Sequence, residues 1–230
     1  MTALNVVVLA AGQGKRMYSN LPKVLHKLAG KPMLQHVMDS ANALNPSKMC
    51  IVYGHGGETV RNAFADCAAV WAKQEPQLGT GHAVLQAVPH LDNDGLTLIL
   101  YGDVPLTRSD SLKQLTDVAQ SGKLAVLTIE LNDPTGYGRI VRDSKGNITG
   151  IVEHKDATPE QRKIREVNTG IMAMPTQHLS RWLSQLKNDN AQKEYYLTDI
   201  IAMAVSEKVP VAAVHPRAEW ETLGINSKVQ

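Results

Sequence analysis

The sequence predicts an α/β fold: a Rossmann-like, doubly wound, mostly parallel sheet with an inserted β-hairpin. Three observations carry that prediction. Short β-branched or aliphatic runs alternate with helical periodicities, as expected of parallel strands joined by crossover helices. The first run opens directly into a glycine loop, residues 12–14, where open α/β sheets bind ligands. After Glu130 the alternation gives way to two adjacent strands joined by a tight turn.

In chain order, strands are predicted at residues 5–10, 49–53, 69–72, 96–101 and 124–130, each a short apolar run of strand length. Between the first two, Met33, Leu34, Val37, Met38, Ala41 and Leu44 recur at helical spacing and share one face. Ala83, Val84, Ala87 and Leu91 do the same before the strand at 96–101. The stretch GRIVRDSKGNITGIVE reads as the hairpin, its turn at 143–146, an insertion of the kind that caps an active face. A strand at 167–174 follows, then helices near 177–186 and 197–206 and a last strand at 209–214. No linker, low-complexity tract or internal repeat divides the chain, so one composite domain is expected.

Composition excludes several classes. At 230 residues, 43% hydrophobic and with a formal charge of +2, the chain can bury a sizeable core and lacks the basic stripe of a general nucleic-acid binder. Cys50 and Cys67 have no C-x-x-C spacing and read as reduced, buried small hydrophobes. Lys15 and Arg16 follow the first apolar run instead of preceding it, which is the wrong order for a signal peptide. No apolar stretch reaches the roughly 18 residues of a membrane span. A cytoplasmic protein with no membrane insertion and no nucleic-acid partner is expected. The eight histidines show no zinc spacing, and no serine or cysteine sits in a nucleophile elbow.

The loop LAAGQGKRM, residues 9–17, brings glycines and cations together after a strand, a combination suited to phosphate. A dinucleotide fingerprint needs a third glycine where Met17 stands. A Walker loop needs Ser or Thr after Gly-Lys and a glycine five residues before that Gly; Gly14-Lys15 and Gly30-Lys31 fail on both counts. A mere turn remains the alternative for a lone G-x-G.

The longer form, LAAGQGKRMYSNLPKVL, resembles the signature of the sugar-1-phosphate nucleotidyltransferases, with a glycine loop, Arg16 and then Pro22-Lys23. Lys15 departs from it, standing where the family has a small hydroxyl residue. The segments VYGHGG, QLGTGHA, YGDVPL, DPTGYGRI, GIVEHKDAT, VNTGI and EYYLTDII continue the likeness across the chain. Together they resemble the uridylyltransferase half of the bifunctional bacterial enzymes that make UDP-N-acetylglucosamine. The resemblance implies the nucleotide-diphospho-sugar transferase fold over residues 1–230. It also implies transfer of UMP from UTP to N-acetylglucosamine 1-phosphate by direct in-line displacement, with pyrophosphate released, serving peptidoglycan and lipopolysaccharide precursor synthesis.

The resemblance also assigns roles. Leu9, Ala10, Ala11, Gly12 and Gly14 would bind the nucleotide, the two glycines lending amides to its phosphates. Arg16 would stabilise the leaving pyrophosphate and Lys23 neutralise phosphate at the reacting centre. Asp103 would hold Mg2+ together with Asn226. On the residues alone, Asp103 could be a strand-end turn residue, and Asn226 lies near the end of the chain. Gln74, Gly79 and Thr80 would read uracil; the alternative is that residues 79–81 only start a helix. Tyr101, Gly138, Glu153, Asn168, Thr169 and Asn226 would bind the sugar, although Glu153 could equally belong to a solvated charge cluster with His154, Lys155 and Asp156.

Full-length members are expected to be homotrimers through a left-handed β-helix that also carries acetyl transfer. No hexapeptide repeats occur here, so a monomer without acetyltransferase activity is expected. A catalytically silent nucleotide-sensing module, or an enzyme for another sugar phosphate or base, stays open; Arg16, Lys23 and Asp103 argue against the silent module.

Overall fold

The computed structural model describes residues 2–12, 14–54 and 56–227, with Lys15 described by its backbone only. Gln13, His55 and the Lys15 side chain, where the sequence departs from the family signature, lie outside the described residues. The chain opens with β1 (Leu4–Ala10), two 3-10 turns (Lys15–Met17 and Lys23–Leu25) and a two-residue hairpin, β2 (Lys27–Leu28) and β3 (Lys31–Pro32). Next come α1 (Met33–Asn42), β4 (Lys48–Tyr53), α2 (Glu58–Ala63), β5 (Val70–Lys73), α3 (Thr80–Ala87) and β6 (Leu96–Tyr101). The second half holds α4 (Ser109–Ala119), β7 (Leu124–Glu130), β8 (Arg139–Arg142), β9 (Ile148–Val152), α5 (Pro159–Arg162) and β10 (Glu166–Pro175). It finishes with α6 (Leu179–Ser184), α7 (Ile200–Ser206) and β11 (Val211–Val214).

The main sheet runs β11-β7-β10-β6-β1-β4-β5. Its pairs are parallel except at β10, which is antiparallel to both neighbours. Strand periodicity divides the core in two. Val6 and Val8 of β1 pack on one face with Leu34, Val37 and Met38 of α1 and Leu112 and Leu115 of α4. Val7 and Leu9 point to the other face, where Ala83, Val84 and Ala87 of α3 meet Leu179 and Trp182 of α6. Helices thus cover both faces, which is why β1 can be apolar at successive positions.

The hairpin forms as predicted, with Ile140 paired to Ile151, and Asp143 accepts from the amides of Lys145 and Asn147 across its turn. It continues the main sheet, joined by the Arg139–Val167 pair between β8 and β10. Ile140, Ile148 and Ile151 sit in the same core cluster as α6 and α7.

Several boundaries move for identifiable reasons. Pro89 has no N–H to continue α3, so the helix ends at Ala87 and Leu91 follows a 3-10 turn. The helices expected at 177–186 and 197–206 each begin with a 3-10 turn, leaving α6 and α7 shorter. The last strand starts at Val211 because Pro210 can accept from Leu124 N but cannot donate. The strand predicted at 69–72 lies one residue later, and β2, β3, α2, α4 and α5 add to the elements read from sequence. Cys50 is buried, which pushes its thiol up to about 11, whereas Cys67 is only partly buried; both are free. Among the described residues no helix is long and apolar enough to cross a membrane.

Candidate functional site

The chain leaves β1 toward β4 on one side and returns through α3 to β6 on the other, so β1 lies at a topological switch point. In register, Ala10 stands beside Tyr53 and Leu9 beside Tyr101, bringing three strand tips together. Gly102 N donates to Leu9 O at 2.9 Å, keeping the two loops in contact. A cleft of about 480 Å³ opens there. It is lined by Leu9, Ala10, Ala11, Gly12 and Gly14 on one side, Gln74, Gly79 and Thr80 on a second, and Lys23, Tyr101 and Asp103 at the junction.

Glycine is required at one position of this loop in particular. Gly14 has φ +59°, and a Cβ there would lie 2.8 Å from Lys23 Cβ. Glycine therefore lets the loop lie directly against the Lys23 stem. Met17 N closes the following turn on Gly14 O at 2.8 Å, and Gln77 Nε2 donates to Ala11 O.

Lys23 joins the charged groups. Its Nζ donates to Asp103 Oδ2 and, at 2.7 Å, to Asn226 Oδ1; Arg16 donates to the same Asn226 oxygen at 3.0 Å. The Asn226 oxygen is delivered by the chain's last described segment. Ile225 N donates to Asp103 O at 2.9 Å, and upstream the fully buried Glu221 accepts from Ser111 Oγ at 2.7 Å and from the amide of Arg108 at the start of α4. Two hard oxygens, one carboxylate and one amide, thus converge where a cation already sits. That donor set fits a divalent ion that takes its remaining ligands from water and phosphate. Among the described residues no group of three or more His, Cys, Asp or Glu could form an all-protein cage.

The loop carrying Gly79 is held from outside. Gly81 N donates to Tyr195 O and Tyr195 N to Leu78 O, both at 2.8 Å. Gly79 has φ +109°, and a Cβ there would meet Tyr195 O at 2.8 Å. Thr80 Oγ1 accepts from Leu197 N at 3.1 Å, and Gln74 Nε2 donates to Gly79 O at 2.9 Å.

Apart from Asn226, which lies with Lys23, the residues assigned to a sugar form a second group around Tyr101. The ring of Tyr101 fills the space that Gly170 leaves open, where a Cβ would come within 2.6 Å of Cε2. Burial first, then the Glu153 and Asp103 carboxylates, push its hydroxyl pKa up. Gly138 abuts the Glu153 carboxylate and accepts from Asn168 N at 2.9 Å. Glu153 accepts from Thr198 Oγ1 at 3.0 Å; burial, with Asp199, Asp156 and Glu194 nearby, raises its pKa against the opposing effect of that bond. Glu153 is thus half-buried, unlike the exposed Lys155 and Asp156 beside it in sequence.

Asn168 and Thr169 sit at an irregularity in β10, where the register with β7 shifts. Asn168 Oδ1 accepts from Gly170 N at 2.9 Å and Thr169 Oγ1 donates to Leu127 O at 2.8 Å, so both side chains serve the backbone. Of the residues singled out in the sequence, Arg16, Gly138, Glu153, Asn168, Thr169 and Asn226 stand outside the cleft lining. Arg16 and Asn226 reach it through Lys23, and the sugar group adjoins it through Tyr101.

Gln77, Val24, Ala83 and Glu194 also line the cleft. Gln77, Ala83 and Glu194 lie within QLGTGHA and EYYLTDII, the motifs that carried the resemblance. Only the pairing of Tyr195 with Leu78 reveals that Glu194 belongs beside Gly79.

The family of MobA-like NTP transferase domains matches this chain over residues 6–194. The bifunctional protein GlmU of Nitrosospira multiformis is 61% identical over 231 residues, covering 100% of this chain and 50% of that protein. GlmU of Dechloromonas aromatica is 62% identical over 229 residues, 99% of this chain and again 50% of the relative. The chain therefore spans about half the length of the curated relatives it matches. The crystal structure of UDP-glucose pyrophosphorylase complexed with UDP-glucose superposes with a TM-score of 0.78 at 20% identity, covering 94% of this chain and 92% of that one, a likeness of fold.

Proposed function

Because this chain belongs to the MobA-like NTP transferase domain family, we propose that it transfers the uridylyl group of UTP to N-acetylglucosamine 1-phosphate, forming UDP-N-acetylglucosamine and pyrophosphate. The observation that carries this reading is the meeting of Lys23 with Asp103 and Asn226, where Lys23 and Asp103 line one cleft together with Gly12, Gly14 and Gln74. A phosphate oxygen of the sugar phosphate attacks the α-phosphorus of UTP. The new P–O bond forms as the bond to the β-phosphate oxygen breaks, and pyrophosphate carries away the released charge. No covalent enzyme intermediate is needed.

The obstacle is negative charge on both reactants, so the chain's task is to position them and supply positive potential. Backbone amides of the glycine loop take the triphosphate. Lys23 sits at the reacting centre, and Arg16, exposed at the mouth, takes the departing pyrophosphate. Asp103 and Asn226 would hold Mg2+, which when bound neutralises phosphate charge. Lys23 would then be freed from both oxygens to face phosphate. Tyr101, Gly138 and Glu153 take the sugar, with Glu153 accepting from its hydroxyls. The same reading places the protein in the cytoplasm.

The test offers UTP, CTP, dTTP and GTP with N-acetylglucosamine 1-phosphate, glucose 1-phosphate and mannose 1-phosphate, with and without Mg2+, and follows pyrophosphate release. UTP with N-acetylglucosamine 1-phosphate should turn over fastest, and only with the metal. Faster turnover of another pair overturns the substrate assignment. Arg16→Ala and Asp103→Ala should each lose on the order of 10² to 10³ in kcat while keeping the wild-type melting profile.

A further inference from the structure

This inference rests on the proposed reading of Gln74 as the side chain that meets the base. Gln74 is 3% exposed, and its Nε2 lies 2.9 Å from Gly79 O and 3.2 Å from His82 Nδ1. A backbone carbonyl can only accept, so the nitrogen end of the amide belongs there. The amide carries two N–H groups, and these two partners take both. What is left to meet a ligand is Oε1, which can only accept. Uracil presents an N–H at ring position N3, whereas cytosine presents a lone pair at the same position.

The state of the His82 ring follows from its neighbours. Gln74 Nε2 stands at Nδ1, and Gln86 Nε2 stands 3.3 Å from the ring Nε2. A protonated ring would set N–H against N–H on both sides, so the ring is neutral; burial pushes its pKa down in the same sense. A neutral imidazole offers one lone pair. Gln86 has a second acceptor in His82 O at 3.0 Å and is only half-buried, while Gln74 is buried in the cleft wall. An unmet donor is costlier at the buried position, so the lone pair belongs at Nδ1, facing Gln74. The ring itself is held in place: His82 lies in the first turn of α3, and its ring leans on Tyr195 with centroids 6.5 Å apart.

We propose that His82 is a specificity-determining residue for the nucleotide. Its Nδ1 lone pair, acting with Gly79 O, locks the Gln74 amide with Oε1 toward the base, so that a pyrimidine with N–H at N3 is accepted and one with a lone pair there is refused. His82 touches neither the base nor the reacting atoms and acts through Gln74. Without that lock the amide can rotate and present its NH2, which suits cytosine.

The experiment measures kcat/KM for UTP and for CTP, at fixed N-acetylglucosamine 1-phosphate, in wild type, Gln74→Ala, His82→Phe and His82→Asn. Phenylalanine keeps a ring against Tyr195 and removes the lone pair. Asparagine loses the ring but can set Oδ1 where Nδ1 stands. The UTP:CTP ratio should fall about tenfold in His82→Phe, the effect of one lost hydrogen bond, and return most of the way in His82→Asn. An unchanged ratio in His82→Phe, or a larger loss in His82→Asn than in His82→Phe, overturns the proposal while leaving the role of Gln74 intact. Equal ratios in wild type and Gln74→Ala overturn the reading of Gln74 itself, and this inference with it.

Discussion

Burial of the Glu153 carboxylate against Gly138, with other acids facing it, favours its neutral form and outweighs the bond from Thr198, which favours the ionised one. The consequence for stability has a definite sign. Its folded pKa lies above its unfolded value, so below the ordinary value of about 4.3 both states are protonated and the site is neutral toward stability. As pH rises toward the raised folded value, the unfolded chain ionises first and folding loses ground, fully so above it. Glu153→Gln keeps the shape and an acceptor for Thr198 without the charge. It should melt at a higher temperature than wild type at pH 7, with the difference closing below pH of about 4.3. The same variant should raise KM for the sugar phosphate more than it lowers kcat. Melting curves across pH and steady-state kinetics check both halves; a lower melting temperature at pH 7 would contradict the burial argument.

At the scale of elements, α6 shows how a short helix becomes indispensable. It has six residues, too few to be stable alone, and depends on what it packs against. Trp182 is fully buried in the cluster that also holds α3, α7 and the hairpin, and its Nε1 donates to Glu207 at 3.0 Å beyond the end of α7. Its loss would leave a cavity against α3, the helix that carries His82, and α7. Trp182→Ala should cost about 3–5 kcal/mol in chemical denaturation, a typical penalty for removing a buried aromatic. Trp182→Phe should cost clearly less, since the ring is retained and only the indole N–H is lost. The regular strands and the helix faces of α1 and α3 were legible in the sequence because their burial is periodic. The 3-10 entries to α6 and α7 were not, because proline and local hydrogen bonding set those boundaries without altering the apolar pattern.

At the scale of the whole molecule, the cleft is assembled from segments far apart in the chain, and the last of them is held at a distance. Glu221 is fully buried, and its carboxylate accepts from the Ser111 hydroxyl and from the amide of Arg108, whose guanidinium also feels its charge. The start of a helix favours a negative group there. Five residues on, Asn226 reaches Lys23 and Arg16. Glu221→Ala should loosen this segment. Hydrogen exchange at the Ile225 amide, now bonded to Asp103 O, should accelerate, and the Mg2+ concentration needed for half-maximal activity should rise about tenfold, in line with one buried hydrogen bond lost. Unchanged exchange at Ile225 would mean that Asn226 is held by its own contacts alone.

What the sequence determined by itself is everything carried by local pattern and order. The doubly wound class, the strands β1, β4, β5, β6 and β7, the hairpin and the glycine loop all follow from periodicity and turn chemistry, which act over a few residues. The candidate residues could be named from motifs for the same reason. Their arrangement could not. That Lys23 lies between Asp103 and Asn226, that Asn168 and Thr169 spend their side chains on a strand irregularity, that Glu194 lines the cleft and that His82 faces Gln74 are matters of side-chain hydrogen bonding between segments. Only the packed structure sets those distances, because which donor meets which acceptor depends on strand register and on what burial leaves without water.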